Sequence, residues 1–215
     1  MGCDVLVVGA FHPEVAGLRE LLGPGLGGKV GGLRVEARVV GIGAPLAAAG
    51  TATQLAELLP RWVIAVGTCG AYAGSGLTLG DVVVASRVEL AAPCVVDGLA
   101  QFPQPMSLVS EPHAATRDAL VRAGGKAGAV ASTLAITIDD AAAARLARST
   151  HAVAEHLEAH GVATACAARG VPFGAALGVA NFVGSGARDE WRVHHRAAAA
   201  AAIAVVERWL RGGGA

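Results

Sequence analysis

Val63 to Ser86, VIAVGTCGAYAGSGLTLGDVVVAS, constrains this chain more than any other stretch. It reads as a strand, Trp62 to Val66, then a turn of small residues, then a Gly-Asp step into a second strand, Asp81 to Ser86. A turn built from Gly67, Thr68, Cys69, Gly70 and Ala71 leaves backbone N–H groups uncovered, so a polar small molecule or anion can approach closely. The same residues also suit a plain tight connection between two core strands, so the turn alone names no ligand.

The rest of the chain alternates strands with helices. Val5 to Val8 is wholly apolar, as a strand buried on both faces is. Glu14 to Leu22 has helical spacing, Leu33 to Val40 alternates like a half-exposed strand, and Ala44 to Leu59 reads as a small-residue helix. Further helices are expected over His113 to Ala123, from an Asp139-Asp140 cap to about Arg148, around Val162 to Arg169, and over about Asp189 to Arg211. Ala127 to Ala131 and Phe173 to Ala180 read as strands. Gly23 to Gly32 and the proline-bearing Ala91 to Glu111 read as connections. This order predicts an α/β fold: a three-layer α/β/α sandwich around a mostly parallel mixed sheet, in one domain over residues 1–215.

Composition removes several function classes. Seventeen Lys and Arg balance seventeen Asp and Glu, intermixed along the chain. No electrostatic footprint for nucleic acid or for a membrane surface is expected. Cys3, Cys69, Cys94 and Cys166 are scattered, with neither paired metal spacing nor a disulfide framework, which fits a reducing cytoplasm. MGCDVLVVGA lacks a basic leader region, and Ala197 to Val206 is too short to span a bilayer.

Several local patterns have plain readings. Gly41-Ile42-Gly43 is half of a dinucleotide fingerprint; Leu46 stands at the third glycine position, so a packing turn is the better reading. His156-Leu157-Glu158-Ala159-His160 has its glutamate misplaced for a zinc-protease helix, and no metal is expected. Gly184-Ser185-Gly186 lacks the spacing of a nucleophile elbow. Glu14 after the first strand, Glu158 at the start of a helix and Asn181 at the end of the last strand are different. Ends of core strands are where ligands bind in open α/β sheets, and these three polar groups can converge there.

Together these residues resemble the nucleoside phosphorylase/nucleosidase family over nearly the whole chain. VVGAFHPEV resembles the first strand of the nucleosidase branch, with Glu14 where that branch carries its water-activating glutamate. VVGIGAPLAAAGTATQLAE is similar to the next strand, turn and helix, and the Val63–Ser86 stretch is the most recognisable part. AVAEHLEAHGVATAC resembles the Met-Glu segment, with Leu157 for Met and Glu158 kept; ALGVANFVG resembles the segment that reads the purine. Gly70-Ala71-Tyr72, Gly74 to Leu77, and Asn181 to Gly184 with Arg188, Asp189 and Trp191 are most similar to the futalosine hydrolase subfamily. Leu177 departs from an arginine common there.

The resemblance implies hydrolysis of a purine N-ribosidic bond, with no cofactor. Phosphorylases of the family carry an arginine where this chain has Ala65, and another near the first strand, where AFHPEV stands instead. Without these charge-assisted donors, water is the expected nucleophile. Glu14 would activate that water, held by Thr68 and the N–H groups of Cys69 and Gly70, while Leu157 and Glu158 would hold the ribose. Ile136, in the segment Leu134 to Thr137, would face the base. Asn181, where adenine-specific nucleosidases have Asp, offers an N–H to a 6-oxo group and a carbonyl to a ring N–H, which favours hypoxanthine or guanine. A homodimer or larger homo-oligomer is implied, with the 91–112 segment as its variable specificity loop.

Overall fold

The computed structural model describes residues 2–214. β1 (Val5–Gly9) is buried throughout: Leu6 and Val8 enter one core, Val5 and Val7 another. A strand with this pattern lies inside a sheet covered on both faces. Next come two single-turn helices, α1 (His12–Val15) and α2 (Arg19–Leu22), with a 3-10 turn over Ala16–Leu18 between them. The periodic segment Glu14–Leu22 is therefore not one helix. Gly17, a poor helix former, sits at the break, yet Val15, Leu18 and Leu22 keep their buried face.

β2 (Gly27–Val30) pairs antiparallel with β3 (Leu33–Val39), where a turn-rich connection was expected. As the edge strand it needs little side-chain packing, so its glycines gave no strand pattern. After α3 (Ala44–Leu58) come β4 (Trp62–Ala71) and β5 (Val82–Leu90). The 91–112 segment carries one helical turn, α4 (Pro93–Val96), and the short strand β6 (Val109–Ser110). Then follow α5 (Ala114–Arg122), β7 (Lys126–Ser132) and α6 (Asp140–Thr150), which Asp139 caps by accepting from Ala142 N. β8 (Ala154–Glu155), too short for any pattern, leads to α7 (Ala159–Ala168), β9 (Phe173–Phe182) and α8 (Ala187–Arg211).

The sheet is mixed, and its parallel pairings are β1 with β3, β1 with β4, β4 with β9, β5 with β7, and β7 with β8. Antiparallel pairs join β4 with β8, β5 with β6, and β5 with β9. β4, β9, β5, β7 and β8 close on one another in a ring, which strand patterns alone did not predict. Closure follows from the length of β4: its first half pairs with β1, and Gly70 and Ala71 pair with β8. α3 and α7 cover one face; α2, α5 and α8 cover the other. Among the described residues, no helix is long and apolar enough to cross a membrane.

Gly67 to Ala71 is not a turn. It continues β4 beside β9, with a bulge between Cys69 and Gly70. Small residues permit this close pairing, and the bulge supplies the bend. The positive-φ turns lie further on, at Gly74, Gly76 and Gly80.

Candidate active site

A cavity of about 320 Å³ opens where β1, β4 and β9 end and α1, α7 and α8 begin. Glu14, Thr68, Cys69, Gly70, Ile136, Leu157, Glu158 and Asn181 all line it. Residues far apart in the chain meet here because the parallel strands end on one side of the sheet.

Glu14 is 4% exposed. Its Oε2 accepts from Ala10 N at 2.8 Å; its Oε1 accepts from Thr68 N at 3.0 Å and from the Thr68 hydroxyl at 3.3 Å. Burial pushes its pKa up to about 7, with a further push from the charge of Glu158, against these hydrogen bonds. A Cβ on Gly67 would sit 2.9 Å from Oε1, so only glycine leaves room for the carboxylate. The Thr68 donors expected to hold water are therefore held by Glu14 itself. Thr68 Oγ1 also accepts from Trp191 Nε1 at 3.0 Å. The indole is stacked on His195, with ring centroids 4.4 Å apart.

Glu158 begins α7, and its Oε1 accepts from Gly43 N at 2.7 Å. The packing turn 41–43 thus holds a site carboxylate, and Ile42 lines the cavity beside it. Asn181 Nδ2 donates to Phe182 O at 2.9 Å. A Cβ on Gly70 would lie 2.8 Å from that amide nitrogen, so the glycine leaves Asn181 its place. Cys69 turns its thiol into the core toward Leu177 O, and burial pushes its pKa up.

Composition gave no sign of the buried network around Glu155. Its carboxylate accepts from Tyr72 OH at 3.2 Å, Thr137 N at 3.0 Å and Thr137 Oγ1 at 2.6 Å. Burial pushes its pKa up against these bonds. The network ties the 133–139 connection to β8 and sets Ile136, 57% exposed, at the cavity. His156, Arg188 and Trp191 also line the cavity. Ser185 is no nucleophile: its hydroxyl and N–H both donate to Asp140. Among the described residues, no three His, Cys, Asp or Glu cluster to hold a metal.

The family model of the Phosphorylase superfamily matches residues 10–211. The chain belongs to the phosphorylase superfamily. Among solved structures, this superfamily member is similar to a 5′-methylthioadenosine/S-adenosylhomocysteine nucleosidase from Neisseria meningitidis in complex with methylthio-immucillin-A. Identity is 24%, the TM-score is 0.85, and 97% of this chain and 98% of that one are covered. It is similar to futalosine hydrolase from Helicobacter pylori at 17% identity and TM-score 0.83, covering 95% and 96%. The S-adenosylhomocysteine nucleosidase of Streptococcus pyogenes, complexed with 5-methylthiotubericidin, is 17% identical with TM-score 0.86, covering 98% and 97%. No curated protein matches the chain.

Proposed function

We propose that this protein hydrolyses the N-ribosidic bond of a purine nucleoside, with futalosine as substrate and hypoxanthine as leaving base. The observation that carries this reading is the seat of Glu14. Its carboxylate occupies the Thr68 N–H and O–H, donors that would otherwise face an anion. Ala65 is buried in the β4 core and brings no positive charge to that place. A phosphate dianion would meet a carboxylate there; a water would meet a base.

With a pKa of about 7, Glu14 ionises near neutral pH, where a general base works best. It deprotonates a water attacking the anomeric carbon as the C–N bond breaks through an oxocarbenium-like transition state. Glu158 holds the ribose hydroxyls and so fixes the ring for attack. Asn181 keeps a second N–H and its carbonyl for the purine edge, and stabilises charge developing on the departing base. Arg188 is the one lysine or arginine among the lining residues. It offers a donor to the carboxylate that futalosine carries and that inosine and methylthioadenosine lack.

A second reading, cleavage of methylthioadenosine or adenosylhomocysteine, draws support from the apolar wall of Phe11, Ile42 and Trp191. The exposed Ile42, Leu46, Leu134, Ile136 and Ile138 at and beside the cavity support a homo-oligomer that covers them.

The purified protein is assayed with futalosine, inosine and methylthioadenosine, each with and without phosphate. Phosphate-independent release of hypoxanthine, fastest from futalosine, is expected. A phosphate requirement overturns the hydrolytic mechanism, and preferred release of adenine overturns the substrate.

A further inference from the structure

His156 is buried where β8 runs into α7, and its two ring nitrogens have partners within the protein. Its Nδ1 accepts from Ala159 N at 3.0 Å and from Glu158 N at 3.4 Å. A ring nitrogen that accepts carries no proton, so the proton of the neutral ring sits on Nε2. That Nε2 lies 3.3 Å from Glu158 Oε2. Burial pushes the imidazole pKa down, in keeping with a neutral ring. One ring therefore does two jobs. Its Nδ1 side closes the start of α7, and its Nε2–H clamps the carboxylate oxygen that Gly43 N does not hold.

We propose that His156 is a positioning residue: its Nε2–H fixes the Glu158 carboxylate for the sugar hydroxyls and so sets the preference for ribonucleosides over 2′-deoxyribonucleosides. This rests on the reading of Glu158 as the ribose-binding group. With both oxygens anchored, each keeps a lone pair for one hydroxyl at a fixed place. Unclamped on one side, the carboxylate swings on Gly43 alone. The bond to the 2′-hydroxyl then loses its alignment, while a 2′-deoxy substrate loses nothing from that bond.

Two substitutions separate the two jobs of the ring. Asn places an acceptor where Nδ1 stands but does not reach Glu158; Gln places an N–H where Nε2 stands but leaves Ala159 N unmet. The probes are inosine against 2′-deoxyinosine and futalosine against 2′-deoxyfutalosine, compared by kcat/KM, with Tm measured alongside. His156→Asn is expected to lower Tm, because a buried ring and its bond to Glu158 are lost, and to lose ribose preference by about 10- to 100-fold, the worth of one hydrogen bond to a charged group. His156→Gln is expected to lower Tm as well but keep the preference within about threefold, a change too small for the loss of such a bond. If preference falls equally in both variants, or follows Tm, His156 is only structural and the inference is overturned. Glu158→Gln marks the underlying reading. If it loses ribose preference while His156→Asn does not, the inference alone fails. If neither the wild type nor Glu158→Gln distinguishes the sugars, the reading of Glu158 fails and takes the inference with it.

Discussion

Trp191 Nε1 donates to the Thr68 hydroxyl at 3.0 Å, and this decides where that hydroxyl's single proton points. With one lone pair taken by the indole, the proton goes to Glu14 Oε1, 3.3 Å away. The last helix thereby orients the group that supports the proposed base. Trp191→Phe keeps an aromatic ring beside His195 and removes the donor. One neutral hydrogen bond is worth about 0.5–1.5 kcal/mol, so kcat should fall roughly 2- to 12-fold with Tm little changed. An unaltered kcat would detach Trp191 from Glu14.

The raised pKa of Glu14 makes activity and stability move in opposite directions with pH. As the proposed base its carboxyl must be ionised to accept a proton, so kcat/KM should rise through about pH 7, and Glu14→Gln should lower turnover by roughly 10²–10⁴-fold. The folded-state pKa lies above the ordinary 4.5, so the folded protein holds this proton more tightly than the unfolded chain. The associated stability is full below about pH 4.5 and is lost as pH rises through about 7, by at most about 3 kcal/mol. Thermal melts of wild type against Glu14→Gln across pH 4.5–8 should show the wild type losing ground. A flat difference would place the titration on another group.

Glu158 contributes to that same rise through its charge, after burial. Glu158→Gln should therefore move the acid limb of the residual activity to lower pH, as well as weakening nucleoside binding. A limb that stays in place would mean that burial alone sets the Glu14 pKa.

The residues of the proposed site were legible in the sequence because their surroundings are local: Glu14 follows a buried strand, Glu158 starts a helix, and Asn181 ends an apolar run. Their supports were not. Gly43 N reaches Glu158, and Trp191 reaches Thr68, across more than a hundred residues of chain. The pairing of β4 with both β8 and β9 creates these neighbours, and no periodicity encodes it. Gly67 to Ala71 shows the opposite error. Five small residues look like a turn by composition, yet beside β9 they form a strand whose missing side chains make room for Glu14 and Asn181.

Asn181 sets the base preference in the proposed reading. Asn181→Asp replaces the N–H offered to a 6-oxo group with a carboxyl that, protonated, suits a 6-amino purine. The ratio of hypoxanthine to adenine release from matched nucleosides should shift toward adenine by about 10²-fold or more, since mismatched buried polar edges are heavily penalised. An unchanged ratio would move base recognition elsewhere in the cavity.

Gly67 offers a way to disable Glu14 without touching it. Ala in a strand at an ordinary φ is well tolerated, but here its Cβ would stand 2.9 Å from Oε1 and 3.2 Å from Oε2 of Glu14. The carboxylate must swing away from Thr68, giving up its N–H and O–H donors and the position the proposed mechanism needs. Gly67→Ala should therefore lower kcat by an amount approaching that of Glu14→Gln, roughly 10²–10⁴-fold, with a near-normal KM because the groups proposed to hold ribose and base, Glu158 and Asn181, are left in place. Cys69→Ala is the matched control: that thiol points into the core toward Leu177 O, so kcat should hold while Tm falls modestly. A Gly67→Ala enzyme with full turnover would show that the seat of Glu14 on Thr68 is not where the proposed chemistry takes place.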